Sequence, residues 1–114
     1  MAFDPFVYMK KVILAFAISA LSISAALADD LHFRLSPNPA SSHINIRFDE
    51  SLTGDFIVEV YTVLGTRVID QTFHYPEGTN SIYMNTSSLA EGIYLVRVTR
   101  GNESTVKRLK IQRE

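Results

Sequence analysis

From Leu31 onward the sequence alternates apolar and polar residues with a period of two, in short runs. A strand sends successive side chains to opposite faces, so this period encodes one buried and one solvated face. Leu31, Phe33 and Leu35 share a face of the first run, and Ile44, Ile46 and Phe48 share a face of the second, with Asn45 and Arg47 outward. The run Phe56–Val63 differs. Phe56, Val58 and Val60 lie on one side, but Ile57, Tyr61 and Val63 are sizeable too. A strand that is apolar on both sides belongs in the middle of its sheet.

Turn chemistry cuts the runs. Pro37 and Pro39 stop the first, because neither can donate to a ladder. Leu52-Thr53-Gly54-Asp55 and Tyr75-Pro76-Glu77-Gly78 read as turns, and Leu64-Gly65-Thr66 as a tight hairpin with Gly65 supplying a positive φ. Arg67–Phe73, Thr79–Asn85, Ile93–Thr99 and Thr105–Gln112 complete the runs. Thr86–Gly92 is the longest polar link, and Arg100-Gly101-Asn102-Glu103 a last turn. Seven short strands with no helical periodicity after residue 28 predict an all-β fold, a seven-stranded immunoglobulin-like antiparallel β-sandwich.

The sequence contains no cysteine, so packing alone must hold this domain. Phe33, Phe48, Phe56, Phe73, Tyr61, Tyr75, Tyr83 and Tyr94 supply the bulk, each able to bury on the order of 150–250 Å². The net charge of −1 gives no support to nucleic-acid binding, which calls for a basic surface.

Residues 1–28 read as a signal peptide that forms a helix and is cleaved. Lys10 and Lys11 are its positive region and Val12–Leu27 its apolar run, shorter than the roughly 20 residues that span a bilayer. Ala26 and Ala28 place small residues at −3 and −1, with Asp29 as the new N-terminus. Asp4 and Pro5 do not suit such a leader, so translation is expected to start at either Met1 or Met9. Residues 29–114 form the one remaining domain.

No constellation for catalysis stands out. His32, His43 and His74 are far apart and lack metal-ligand spacing, and Asp29-Asp30 and Asp49-Glu50 have no calcium-loop pattern around them. Ser36, Ser41, Ser42, Ser51, Ser87 and Ser88 sit outside any nucleophile elbow. The expectation is a non-enzyme without cofactor or metal.

Four motifs carry the rest. They are Pro37-Asn38-Pro39, the strand Val58–Arg67 containing Tyr61 and Gly65, the segment Leu89-Ala90-Glu91-Gly92-Ile93-Tyr94, and the basic-apolar Lys107-Arg108-Leu109-Lys110-Ile111. In this order they resemble the C-terminal sorting domain (type A) of type IX secretion cargo in Bacteroidetes, over about residues 33–114. Thr62 stands where that family often has Asp, and Thr66 where a basic residue is frequent. Pro37, Asn38, Pro39, Tyr61, Gly65, Leu89, Gly92, Tyr94, Lys107, Arg108, Lys110 and Ile111 are the candidate positions, either for recognition or for the fold that is recognised.

The resemblance implies export through the inner membrane, a periplasmic stage, recognition by the outer-membrane translocon, and delivery to the cell surface or medium. It also implies that a sortase-like peptidase removes the domain, so both cleavage and retention are open. A family member normally trails a large cargo, and here none is expected. Three readings follow: an exported product that is itself the sorting domain, a fragment of a longer cargo gene, or an unrelated exported adhesion or ligand-binding sandwich using Tyr75 and Tyr83. A weak homodimer through an edge strand is compatible with each.

Overall fold

The computed structural model describes residues 31–113. The expected signal peptide, its cleavage residues Ala26, Ala28 and Asp29, and the alternative start Met9 lie outside the described residues.

The described chain is all-β, with five antiparallel strands: β1 (Phe33–Ser36), β2 (His43–Thr62), β3 (Arg67–Asn85), β4 (Gly92–Arg100) and β5 (Glu103–Ile111). They are hydrogen-bonded in the order β1-β2-β4-β5, with β3 paired along β2 as well.

The strand count of seven is corrected to five. The runs 43–48 and 56–63 fuse into β2, and 67–73 and 79–85 into β3, so Leu52–Asp55 and Tyr75–Gly78 are strand rather than turn. The two segments face each other in one ladder, with Leu52 opposite Thr79 and Gly54 opposite Tyr75. Register shifts between Arg47 and Leu52, and between Leu52 and Gly54, absorb the irregularity. Gly54 and Gly78 adopt φ of +113° and +96°. Positive φ suits a bulge as well as a turn, and a bulge lets the paired strands bend without separating.

Pairing falls into two blocks on either side of that bend. In one, β1 and residues 81–85 of β3 flank residues 43–48 of β2; in the other, residues 67–75 of β3 and β4 flank residues 54–62, with β5 outside β4. The blocks share one core. Phe33, Ile44, Ile46, Phe48, Ile82 and Met84 from the first cluster with Phe56, Val58, Val60, Val96, Val98, Leu109 and Ile111 from the second. A run of rings crosses the bend, with centroids 6.4 Å apart for Phe33–Phe48, 5.1 Å for Phe48–Phe56 and 6.1 Å for Phe56–Tyr75.

Candidate functional site

The first and last motifs meet in space. Pro37 and Pro39 hold Asn38 in the exposed loop after β1, against the outer edge of β5. Asn38 Nδ2 donates to the Arg108 carbonyl (3.1 Å), and the Lys110 N–H donates to Asn38 Oδ1 (3.0 Å). Two residues further on the backbone takes over. The Ala40 N–H donates to the Lys110 carbonyl and the Gln112 N–H to the Ala40 carbonyl, both at 2.8 Å, making a short parallel bridge between Ala40 and Ile111. The Asn38 amide thus stands in for one residue of a neighbouring strand. An edge strand has unpaired N–H and C=O groups that a partner chain can exploit, and these four bonds cover the C-terminal half of this one.

The side chains of β5 divide by burial. Leu109 and Ile111 are fully buried, whereas Lys107, Arg108 and Lys110 are exposed. Arg108 and Lys110 line a shallow cleft with Asn38 and Pro39. Ile111 therefore serves the core, and the cations are what a partner can touch.

Leu89, Gly92 and Tyr94 form the entry to β4, beside this joint. Leu89 is buried and its N–H donates to the Thr86 carbonyl (3.0 Å). The Tyr94 ring is buried and its hydroxyl donates to the Ala90 carbonyl (2.7 Å), which closes the loop over the ring. Gly92 is the first residue of β4.

Tyr61 and Gly65 lie apart from this platform, near the β2–β3 turn. The Thr62 N–H donates to the Thr66 carbonyl (2.8 Å), the Gly65 N–H to the Thr62 carbonyl (2.9 Å), and the Thr66 N–H to Thr62 Oγ1 (3.1 Å). The Thr62 hydroxyl accepts this last bond and so adds a side-chain lock to the turn. Leu64 is 92% exposed at the tip.

Glu59 was not singled out by sequence reasoning, yet it organises the outer face behind that turn. It is buried, and Arg97 donates to Oε1 from Nε (3.0 Å) and Nη2 (2.7 Å). Oε2 accepts from the Tyr61 hydroxyl (2.7 Å) and Arg67 Nη1 (3.3 Å). Arg97 Nη2 also donates to the Tyr61 oxygen (3.0 Å), with its guanidinium carbon 5.3 Å from the ring centroid. The Tyr61 hydrogen bond, helped by Arg97 and Arg67 and opposed by burial, holds the Glu59 carboxyl below its ordinary range. The available signal was a lone carboxylate inside the most apolar strand.

The histidines do not converge: His43 stacks on Tyr83, and His74 pairs with Asp55 on the exposed hairpin. No group of three or more His, Asp or Glu side chains suited to a metal ion occurs among the described residues.

A family model described as secretion system C-terminal sorting domain matches residues 34–112. The chain belongs to that family. A search of the curated proteins found no match. The matched region of this sorting domain runs from β1 to the residue after β5, so it contains both halves of the Asn38–β5 joint. Membership ties the chain to the type IX secretion machinery and to export across the envelope to the outer membrane or cell surface.

Proposed function

We propose that this protein is a non-enzymatic export signal, recognised by the type IX translocon at the outer membrane as a folded domain and delivered to the cell surface. The observation that carries the reading is the Asn38 clamp on β5. It fastens the Pro-Asn-Pro loop to the basic strand, so two motifs more than sixty residues apart present one rigid surface with Lys107, Arg108 and Lys110 outward. The signal peptide would supply the inner-membrane step and the periplasmic stage. A sortase-like peptidase is the natural second partner if the domain is removed. Two pairing blocks of one curled sheet around a shared core support a sandwich-like, immunoglobulin-like packing in which β2 and β3 each run through both blocks.

The test is fractionation of a Bacteroidetes host with and without a working type IX translocon. Surface or medium delivery only with the translocon, and periplasmic accumulation without it, is the expected result. Location indifferent to the translocon would sink the reading.

One observation favours a second reading, an exported adhesion or ligand-binding module. Tyr83 is 57% exposed and stacks on His43 with centroids 5.3 Å apart, a flat ledge of the kind that sugars contact. Tyr75, expected to join it, packs against the core instead. Carbohydrate binding lost on Tyr83→Ala, with export unaffected by the translocon, would favour this alternative.

A further inference from the structure

We infer that Arg113 is a latch: its guanidinium fills a cage of backbone carbonyls and locks the segment after β5 against two loops distant in sequence. Nη1 donates to the Ser41 carbonyl, in the loop that follows Pro-Asn-Pro. Nη2 donates to the carbonyls of Thr86 (3.0 Å), Ser87 (3.2 Å) and Leu89, in the link between β3 and β4. The Arg113 N–H donates to Glu91 Oε1 (2.9 Å), so backbone and side chain are both held.

The chemistry of the cage selects its occupant. Four carbonyls offer only acceptors, and they come from two loops on different sides of one group. A planar guanidinium with five donors in a fixed fork can serve both sides at once, which a compact ammonium on a flexible stem does less well. The Thr86 carbonyl also accepts from the Leu89 N–H, whereas those of Ser41, Ser87 and Leu89 belong to irregular backbone outside the strand ladders, where the cation supplies the donor. Charge-assisted bonds of this type are stronger than neutral ones.

The latch has a mechanical consequence. Asn38 and Ala40 hold the outer edge of β5, and Arg113 holds the chain immediately beyond it. Lys107, Arg108 and Lys110 are thereby displayed on a paired strand in a fixed register rather than on a loose tail. This consequence rests on the export reading; the cage itself does not.

The experiment compares the whole chain with Arg113→Ala and Arg113→Lys, by amide hydrogen exchange and by export. In R113A, exchange at the Ala40 and Gln112 amides rises roughly tenfold to a hundredfold, the scale set by losing hydrogen bonds to a charged group. Millimolar ethylguanidinium restores protection, ethylammonium does not, and R113K recovers only part. Unchanged exchange in R113A, or equal rescue by both cations, overturns the latch. If R113A does not fold, the comparison moves to R113K, where protection equal to the parent overturns it. In cells, R113A is expected to lose translocon-dependent delivery. Faster exchange with normal delivery overturns the consequence for display. A parent protein delivered without the translocon rejects the export reading and leaves the cage standing.

Discussion

At Asn38 an exposed side chain does the work of a strand residue. Removing its two bonds to β5 in Asn38→Ala is expected to cost roughly 1–2 kcal/mol, the net worth of two neutral hydrogen bonds, and urea unfolding measures it. Glu59 makes the opposite case, a charge that hydrogen bonds retain inside. Its folded-state pKa lies below the unfolded value near 4.5. The stability it contributes is therefore present above about pH 4.5 and is lost as pH falls through the depressed folded value. Glu59→Gln should flatten that acid limb of the stability curve, and unfolding midpoints from pH 3 to 7 check it. A limb as steep in Glu59→Gln as in the parent would assign the acid loss to other carboxylates. Neither role was legible in sequence. In the sequence Asn38 is a position of the Pro-Asn-Pro motif with no partner in view, because a partner seventy residues away leaves no local trace. Glu59 sat unremarked in an apolar run, because what makes it tolerable is Arg97 on another strand.

The elements show where local rules transfer and where they do not. Alternation placed Ile44, Ile46 and Phe48 inward, and all three are buried; along Phe56–Val63 it left both faces apolar, and the structure buries Phe56, Val58 and Val60 while leaving Ile57 40% exposed. It could not distinguish a turn from a bulge at Gly54 and Gly78, since both need the same backbone freedom. Gly65 is a true turn glycine, at φ +93° with no atom within 4 Å of an added Cβ. Gly65→Ala should therefore cost only the backbone conformation, roughly 1–2 kcal/mol by thermal unfolding. On β5 the exposed cations can be separated from the fold. Replacing Lys107, Arg108 and Lys110 by Ser should shift stability by no more than about 0.5 kcal/mol each, while export falls. Normal export with a normal melting curve would place recognition elsewhere on the domain.

Over the whole molecule, one core ties both pairing blocks together, so the last strand cannot be treated as a detachable tag. Deleting residues 107–114 would remove fully buried Leu109 and Ile111 along with the cations. Loss of export in that deletion would report unfolding as readily as lost recognition. Leu109→Ala calibrates the difference. It is expected to cost about 2–5 kcal/mol, a large share of the roughly 5–15 kcal/mol typical of a domain, and to impair export through folding while every exposed cation remains. Circular dichroism melts of Leu109→Ala beside the serine variant distinguish the two routes. The sequence by itself determined that the domain is all-β, which face of the first two runs is buried, and which four motifs carry the family likeness. Each is written in local spacing or in motif order, and local spacing fixes which way a side chain points in a strand. Only the tertiary structure decided that β2 and β3 run unbroken through the bend. It alone closed Asn38 onto β5, Arg97 onto Glu59 and Arg113 onto the carbonyls of Ser41, Thr86, Ser87 and Leu89. Those contacts join residues distant along the chain, and only packing around the shared core brings them within hydrogen-bonding distance.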